Sequence, residues 1–413
     1  MRILYESDLA GSSHHGMAYR IYQFSCEFIK RGHEVFILAA SFSHLRYINP
    51  RVKSTFTDEI IDGIHYKWIK TPSYNGNGFK RVMHIFLYNL KLWIYAGRIA
   101  KEINPDVVIA SGVTPLDFSG CYRIARKANA KIIYEVGDLW PLTPIELGGY
   151  SKYHPFIIVM QWAENYAYKH CDSVISLLPN SLNYMVLHGL TSEKFNYIPN
   201  GINIDEWENK EDIPFEYESI IKMLKLQGKT LVAYTGSHGV ANALDCLIDV
   251  ANLLKNEDIV FFLVGSGSEK ENLKRKANIL QLNNLYFLDP ISKKSIPSFL
   301  EMIDILYIGL KRQPLFRFGI SPNKLFDYMM AGKPIVQAID AGNNIVKDAN
   351  CGVYVEPENV EEISSAILKI KSLAHEEREQ MGNNGKEYVI EKHSYNILVN
   401  NFLNVIKKVC QGK

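Results

Sequence analysis

Short apolar runs of strand length alternate along this chain with segments of helical period, and the alternation runs its course twice. Residues 2–5 read as a strand, 16–31 as an amphipathic helix stopped at Gly32, and 34–40 as a second strand, which is a βαβ start. Asp106–Ala110, Ile132–Glu135 and Ser173–Leu178 are further strands, with helices at 117–129 and 155–170 between them. Tyr197-Ile-Pro-Asn-Gly201 ends this half, and the charged, poorly periodic stretch from Asp205 to about Lys229 reads as a connector. The pattern then restarts: strands at Leu231–Tyr234, Ile259–Val264, Leu285–Leu288, Ile305–Ile308 and Ile335–Gln337, with helices at 240–255 and 269–280. Strands joined by crossover helices make a parallel sheet covered on both faces. A chain of 413 residues is too long for one ordinary core. The expectation is an α/β protein of two doubly wound Rossmann-like domains facing a central cleft. They span residues 1–205 and 206–391, with a C-terminal helix, 392–413, packing back on the first through Ile397, Leu398, Phe402, Val405, Ile406 and Val409. Ligands of open α/β sheets lie at the carboxyl ends of the strands, so the cleft is the expected site.

Net charge is +2, with no long basic block, which speaks against a nucleic-acid partner. The six cysteines include no Cys-x-x-Cys pair and read as buried thiols of a reducing compartment. The chain enters a strand at once with no leader, and no stretch has the apolar length of a membrane span. These features predict a cytoplasmic protein.

The stretch Ser321-Pro-Asn-Lys-Leu-Phe-Asp-Tyr-Met-Met-Ala-Gly-Lys-Pro334 carries the most chemistry. Ser321 suits an N-cap, Pro322 the first helical position, Gly332 a left-handed stop, and Pro334 forbids continuation. Lys324 then sits in the first turn, where loose N–H groups favour phosphate and a cation opposes the helix dipole. It answers to a bound anion, or it is the solvated lysine of an ordinary capped helix. Leu325, Phe326, Met329 and Met330 face a core, and Asp327 shares the side of Lys324. Three turns rich in glycine or close to it stand on the same half: Thr235-Gly-Ser-His-Gly239, Val264-Gly-Ser-Gly267 and the loop before Ser321. Together with Lys324 they suit a nucleotide-diphosphate pocket, because glycine lets backbone N–H groups approach phosphate closely. Ser268 and Glu271 read as a capping box.

Competing motifs are missing from the sequence. Gly11-Ser-Ser-His-His-Gly16 has Walker-type spacing, but Met17 and Ala18 stand where Lys and Ser/Thr must be. No Gly-x-Gly-x-x-Gly follows a strand, and no Asp-x-Asp pair offers a metal-bridged diphosphate. No cofactor and no metal are expected, so the charge of a leaving diphosphate falls to N–H groups and a lysine. Lys80, Arg81, Lys91 and Arg98 with Ile85, Phe86, Trp93 and Ile94 mark residues 79–102 as a basic-aromatic amphipathic helix. It is either a peripheral membrane contact that collects a lipid-diphosphate acceptor or a domain helix with snorkelling cations.

Nine stretches resemble the family 4 glycosyltransferases of the GT-B fold. They are His15-Gly-Met-Ala-Tyr-Arg20, Arg31-Gly-His-Glu-Val35, Ala39-Ala-Ser-Phe-Ser-His-Leu-Arg46, Asp138-Leu-Trp-Pro141, Glu146-Leu-Gly-Gly149, Gln161-Trp-Ala-Glu164, Pro199-Asn-Gly-Ile202, Gly236–Asp245 and Ser321–Pro334. The branch is similar to the transferases of bacterial O-antigen and capsule assembly, N-acetyl-L-fucosamine transferases among them. The resemblance implies a nucleotide-sugar donor in the C-terminal half and an acceptor in the N-terminal half. Gly236, Ser237, His238, Gly265, Gly267, Ser321, Asn323, Lys324 and Asp327 would bind the donor, with Asp327 on the ribose and the Gly16 loop near the phosphates or sugar. Gly319 stands where relatives often have a second acid, which shifts that contact to the backbone of Ile320 to Asn323. Ser237 and Asn242 stand near an Arg and a Lys of other members, leaving Lys324 as the cation. Relatives often have His where this chain has Gly137, so Asp138, His15 or Glu135 would fill that role, or the chemistry needs no side chain there.

The implied reaction is retaining transfer, metal-independent, from a UDP-sugar such as UDP-N-acetyl-L-fucosamine to a lipid-diphosphate-linked sugar acceptor. The departing phosphate would take the acceptor proton. Localisation would be cytoplasmic, peripheral on the inner face of the membrane. A GT-B type UDP-sugar epimerase and a nucleotide-sugar binding protein without turnover remain as alternatives.

Overall fold

The computed structural model describes residues 1–76 and 78–411, and the chain divides into two compact units. Unit 1 is Met1–Asn200 with the segment from Tyr395 onward; unit 2 is Gly201–Ser394. The first division falls at 200/201 and the second at 394/395, within five residues of the expected 205/206 and 391/392.

Unit 1 opens with β1 (Arg2–Glu6), α1 (Arg20–Lys30), β2 (Glu34–Ala40), β3 (Phe56–Ile61) and β4 (Ile64–Ile69). It continues with α2 (Phe79–Ile103), β5 (Val107–Ala110), α3 (Asp117–Ala128), β6 (Lys131–Val136) and α4 (Leu142–Glu146). Then come α5 (Pro155–His170), β7 (Ser173–Ser176), α6 (Leu182–Leu187) and β8 (Phe195–Tyr197). The sheet order is β3-β4-β2-β1-β5-β6-β7-β8, parallel except for β3, which runs antiparallel to β4. β5 and β7 are buried at every residue, as strands covered on both faces must be.

The β3–β4 hairpin lies where the sequence reading placed no strand. Its two-residue loop is Asp62-Gly63, both at positive φ (51° and 78°), the geometry that matches strand twist. The Asp-Gly pair was the available sequence signal. The expected helix 16–31 begins only at Arg20, because Gly16 and Met17 take positive φ and Gly16 bridges back to Ser12.

Unit 2 begins with α7 (Ile204–Glu208) and α8 (Phe215–Leu226). Both lie in the stretch read as a connector. Trp207, Ile213, Ile221 and Leu224 bury themselves in the core of unit 2, and the charges on the outer faces hid that stripe. Next are β9 (Thr230–Thr235), α9 (Leu244–Leu253), β10 (Ile259–Val264), α10 (Lys270–Ile279) and β11 (Leu285–Leu288). The expected helix 240–255 is split: a single tight turn at Val240–Asn242 precedes α9, and Ala243 between them is left-handed (φ 48°).

The remaining elements are α11 (Ile296–Glu301), β12 (Ile305–Gly309), α12 (Asn323–Met330), β13 (Ile335–Ala338), α13 (Ile345–Asp348), β14 (Gly352–Val355), α14 (Val360–Ser372) and α15 (His375–His393). The sheet is fully parallel in the order β11-β10-β9-β12-β13-β14. Connections run outward in opposite directions from the β9/β12 pair, which is the switch point where a crevice opens at the strand ends.

The last helix, α16 (Tyr395–Gln411), returns to unit 1 and packs on α1. Leu398, Phe402, Val405 and Ile406 join Phe24 and Phe28 in one core. Ile397 faces solvent, contrary to the expected inward set, because Tyr395, Leu398 and Val399 define the buried arc and 397 falls outside it.

Candidate active site

A polar arrangement of unit 2 stands at the switch point, around the N-terminal turn of α12. The helix starts at Asn323, with Pro322 rather than Ser321 at the cap and no side chain closing it. Ser321 therefore stands one residue outside the expected cap, and in the first turn the Leu325 N–H donates to the Pro322 carbonyl at 3.1 Å. Proline fits the cap because its own missing N–H lies outside the helical ladder. Gly332 takes the left-handed stop (φ 65°), and Leu325, Phe326, Tyr328, Met329 and Met330 are buried.

Lys324 projects from that turn toward the end of β9. Its Nζ donates to the Tyr234 hydroxyl at 2.5 Å and to Asn242 Oδ1 at 3.1 Å, and lies 4.1 Å from the Tyr234 ring centroid. No carboxylate is among these partners. Burial without a counter-charge pulls its pKa down to about 7.

Two glycine turns flank it. Gly236 (φ 133°) follows β9 and Gly265 (φ 145°) follows β10. A Cβ on Gly236 would stand 3.0 Å from Lys324 Nζ, and one on Gly265 would stand 1.9 Å from the Gly236 carbonyl oxygen. Both positions thus need glycine, for conformation and for space. Gly267 is closed in the same way by the His238 backbone. His238 is the hinge of this packing: its N–H donates to Ser266 O (2.8 Å) and its carbonyl accepts from Glu269 N–H (2.9 Å). Its ring is fully buried, neither ring nitrogen has a hydrogen-bond partner, and burial with Lys270 and Lys324 nearby lowers its pKa to about 4. Ser237 contributes its carbonyl, which accepts from Tyr234 Oη (2.8 Å) and Asn242 Nδ2 (3.0 Å).

The sequence reading missed Tyr234 and Lys270. Lys270 occupies the first turn of α10, as Lys324 does in α12, so the same misfit with the dipole marks both. Its Nζ already holds Gly265 O (2.9 Å), Leu288 O (3.1 Å) and Asp289 Oδ1 (2.7 Å) and so braces the turn. The expected Ser268–Glu271 capping box does not form: the helix starts at Lys270 with Glu269 at its cap. Burial raises the pKa of Asp327, with Lys293, Glu206 and Trp207 the groups acting on it. Asn323 is half-buried in the first turn. Ahead of the helix, the Ile320 backbone is clamped by Asn343, which accepts from Ile320 N–H (2.8 Å) and donates to Ile320 O (3.0 Å).

The candidate groups of unit 1 do not form one cluster. Glu135 is buried and saturated: its carboxylate accepts from Tyr5 Oη (2.5 Å), Ser111 Oγ (2.7 Å) and Arg20 Nε (2.9 Å) and pairs with Arg20 NH2 at 2.8 Å. A carboxylate so occupied has no lone pair left for a reacting proton, which removes Glu135 as a catalytic base. His15 is buried against Trp68 (ring centroids 5.1 Å apart), with Nδ1 2.9 Å from Ser12 Oγ, and burial lowers its pKa. Gly16 (φ 81°) would drive a Cβ into the Tyr47 ring. Asp138 is exposed just past β6, and beside it a Cβ at Gly137 would meet open space. Of the three, Asp138 alone is presented to solvent.

A parallel sheet covered on both faces, a switch-point crevice and the Lys324 ammonium held beside glycine turns suit a diphosphate-activated compound. Residues 217–388 match the family described as Glycosyl transferases group 1, and residues 14–206 match Glycosyltransferase Family 4. The first match lies within unit 2 and the second covers nearly all of unit 1, so the chain is a glycosyltransferase. It belongs to family 4 and has the GT-B fold.

The chain is 23% identical over 349 residues to WcaI of Escherichia coli (strain K12), named for colanic acid biosynthesis, covering 82% of this chain and 84% of that one. It is 23% identical over 372 residues to WbjE of Pseudomonas aeruginosa, named as a glycosyltransferase, covering 84% and 88%. Anabaena HepE, solved in complex with UDP, matches with a TM-score of 0.70 at 14% identity over 99% of this chain and 100% of that one.

Proposed function

We propose that the protein transfers an N-acetylated amino sugar from a UDP-sugar, such as UDP-N-acetyl-L-fucosamine, to a lipid-diphosphate-linked glycan of bacterial surface polysaccharide. The observation that carries this reading is Lys324, a half-buried ammonium with no carboxylate among its hydrogen-bond partners, in the first turn of α12 between two glycine turns. A diphosphate there would meet one full positive charge and the N–H groups of Asn323 and Lys324 at the helix start. Those groups stabilise charge as it develops on the leaving UDP, so no metal is needed. Ser321, Asn323 and the Ile320 backbone would face the donor sugar and Asp327 the ribose. Transfer retains anomeric configuration: the acceptor oxygen bonds to the anomeric carbon on the face from which UDP leaves, and the departing phosphate oxygen takes the acceptor proton. Asp138 is the side chain left to orient the acceptor hydroxyl. α2 would bring the enzyme to the cytoplasmic face of the membrane, where the lipid-linked acceptor is presented.

The test is incubation with a panel of UDP-sugars, with and without lipid-diphosphate acceptor, in the presence of EDTA. Acceptor-dependent UDP release with a retained anomeric centre is the expected result. Release only after adding a divalent metal, or isomerised donor without transfer, would overturn it.

A further inference from the structure

The crossovers of unit 1 place α1 and α16 on one face of the sheet and α2, α3 and α5 on the other. α1 joins β1 to β2 in one direction along the strand order, whereas α2, α3 and α5 lead the opposite way, and right-handed crossovers then fall on opposite faces. α2 packs on α3, and α3 on α5.

The outer surface of this layer carries rows of exposed apolar side chains. Phe79, Val82, Phe86, Leu90 and Trp93 recur at three- and four-residue spacing along α2 and are all exposed, Phe86 to 61%. α5 presents a second stripe, Ile158, Val159 and Trp162, with Trp162 exposed to 63%. α3 joins them. The Arg123 guanidinium lies 4.0 Å from the Trp93 ring centroid, and the Tyr122 ring meets Tyr166 of α5 at 6.0 Å. Tyr166 is in turn stacked on Trp162 at 5.6 Å.

Charge on the same layer is one-sided. The three helices carry three acids: Asp117 and Glu164 are buried, and Glu102 is paired with Arg98 and Lys67. Lys80, Lys101, Arg126, Lys127 and Lys169 are exposed there, in a chain whose net charge is only +2. A face three helices wide spans about 20 Å between its outer axes. Aromatic and aliphatic side chains interleaved with cations, without an exposed unpaired acid, complement a bilayer surface bearing anionic lipid. Trp and Tyr sit at headgroup level, and cations near the surface add attraction.

We propose that α2, α3 and α5 together form a docking surface for an anionic bilayer, with α5 inserting beside α2. The inference extends the lipid-linked acceptor reading given above. The crossovers set the N-termini of these helices at the carboxyl edge of the strands, so the apolar halves of α2 and α5 lie toward the edge where an acceptor would enter.

The test is sedimentation of the full chain with vesicles of phosphatidylcholine alone or mixed with phosphatidylglycerol. Three double variants are compared: Phe86→Ser with Trp93→Ser on α2, Val159→Ser with Trp162→Ser on α5, and Ile158→Asn with Trp162→Gln as a second α5 pair should the first not fold. The parent is expected to prefer the anionic vesicles, and each pair is expected to lower its partition coefficient at least tenfold, with UDP binding by calorimetry unchanged. A folded α5 pair that binds vesicles as the parent does overturns the proposal, as does a parent that ignores anionic vesicles but forms a dimer that the α5 pair dissociates. A parent that docks through both helices and binds no nucleotide would sustain the docking surface while removing the sugar-transfer reading.

Discussion

At the scale of single residues, Lys324 carries the most consequence. A charged hydrogen bond to a diphosphate contributes roughly 1.5–3 kcal/mol, so Lys324→Ala should cut turnover at least tenfold in a protein that still folds. The pH dependence has a defined sign. Burial depresses the free ammonium to about 7, while a diphosphate beside it favours the charged form and raises its pKa in the complex. Binding above pH 7 must therefore take up a proton. Affinity for a UDP-sugar, whose phosphates do not titrate in this range, should be flat below about pH 6.5 and weaker roughly tenfold or more at pH 9. Calorimetry across that range should show the slope in the parent and none in Lys324→Ala. Gly265→Ala is the other informative change: its Cβ would meet the Gly236 carbonyl at φ 145°, and backbone strain of about 1–3 kcal/mol should appear as a lower melting temperature together with weaker donor binding.

Between elements, the buried Glu135–Arg20 pair has the largest structural reach. Glu135 on β6 gathers Tyr5 of β1, Arg20 of α1 and Ser111 after β5, and Arg20 also donates to the Pro199 carbonyl. Breaking such a pair leaves one buried charge uncompensated, at a cost of about 3–5 kcal/mol. Glu135→Gln should thus lower the melting temperature by many degrees. Lost turnover at an unchanged melting temperature would return Glu135 to the reacting groups. Legibility differed among elements for physical reasons. The core side of α12 and strands such as β5, β7, β9 and β10 follow from period and apolarity and match the expectation, whereas β4, buried at every residue but His65, and β14 were not expected. Nor was α8, because the charges on its outer face masked a stripe that acquires meaning only against the core of unit 2. The start of α12 slipped because a serine offers a cap without compelling one, and the chain reached the helix through Pro322 instead.

For the molecule as a whole, α16 makes unit 1 depend on the last segment of the chain, with all of unit 2 inserted between. Phe402 alone packs on Tyr5, Phe24 and Phe28, at centroid distances of 6.2, 5.0 and 5.4 Å. Losing one such aromatic costs about 3–5 kcal/mol, and the helix buries several large side chains, against a usual total stability of about 5–15 kcal/mol. A chain ending at Ser394 should fail to fold unit 1 while leaving unit 2 compact. Limited proteolysis should then yield a resistant fragment from the 201–394 region and degrade the rest.

The amino-acid pattern alone determined two parallel α/β units, the returning C-terminal helix and the glycine-and-lysine character of the donor half, because period and turn chemistry are local properties. Only the folded chain decided which charges are already taken. Glu135 and Lys270 look as reactive in the sequence as Asp138 and Lys324. Yet Glu135 is saturated by groups as many as 130 residues away and Lys270 by three acceptors within 19 residues, whereas Lys324 meets a phenol and an amide, because hydrogen-bond supply is set by which segments the fold brings together and not by residue type.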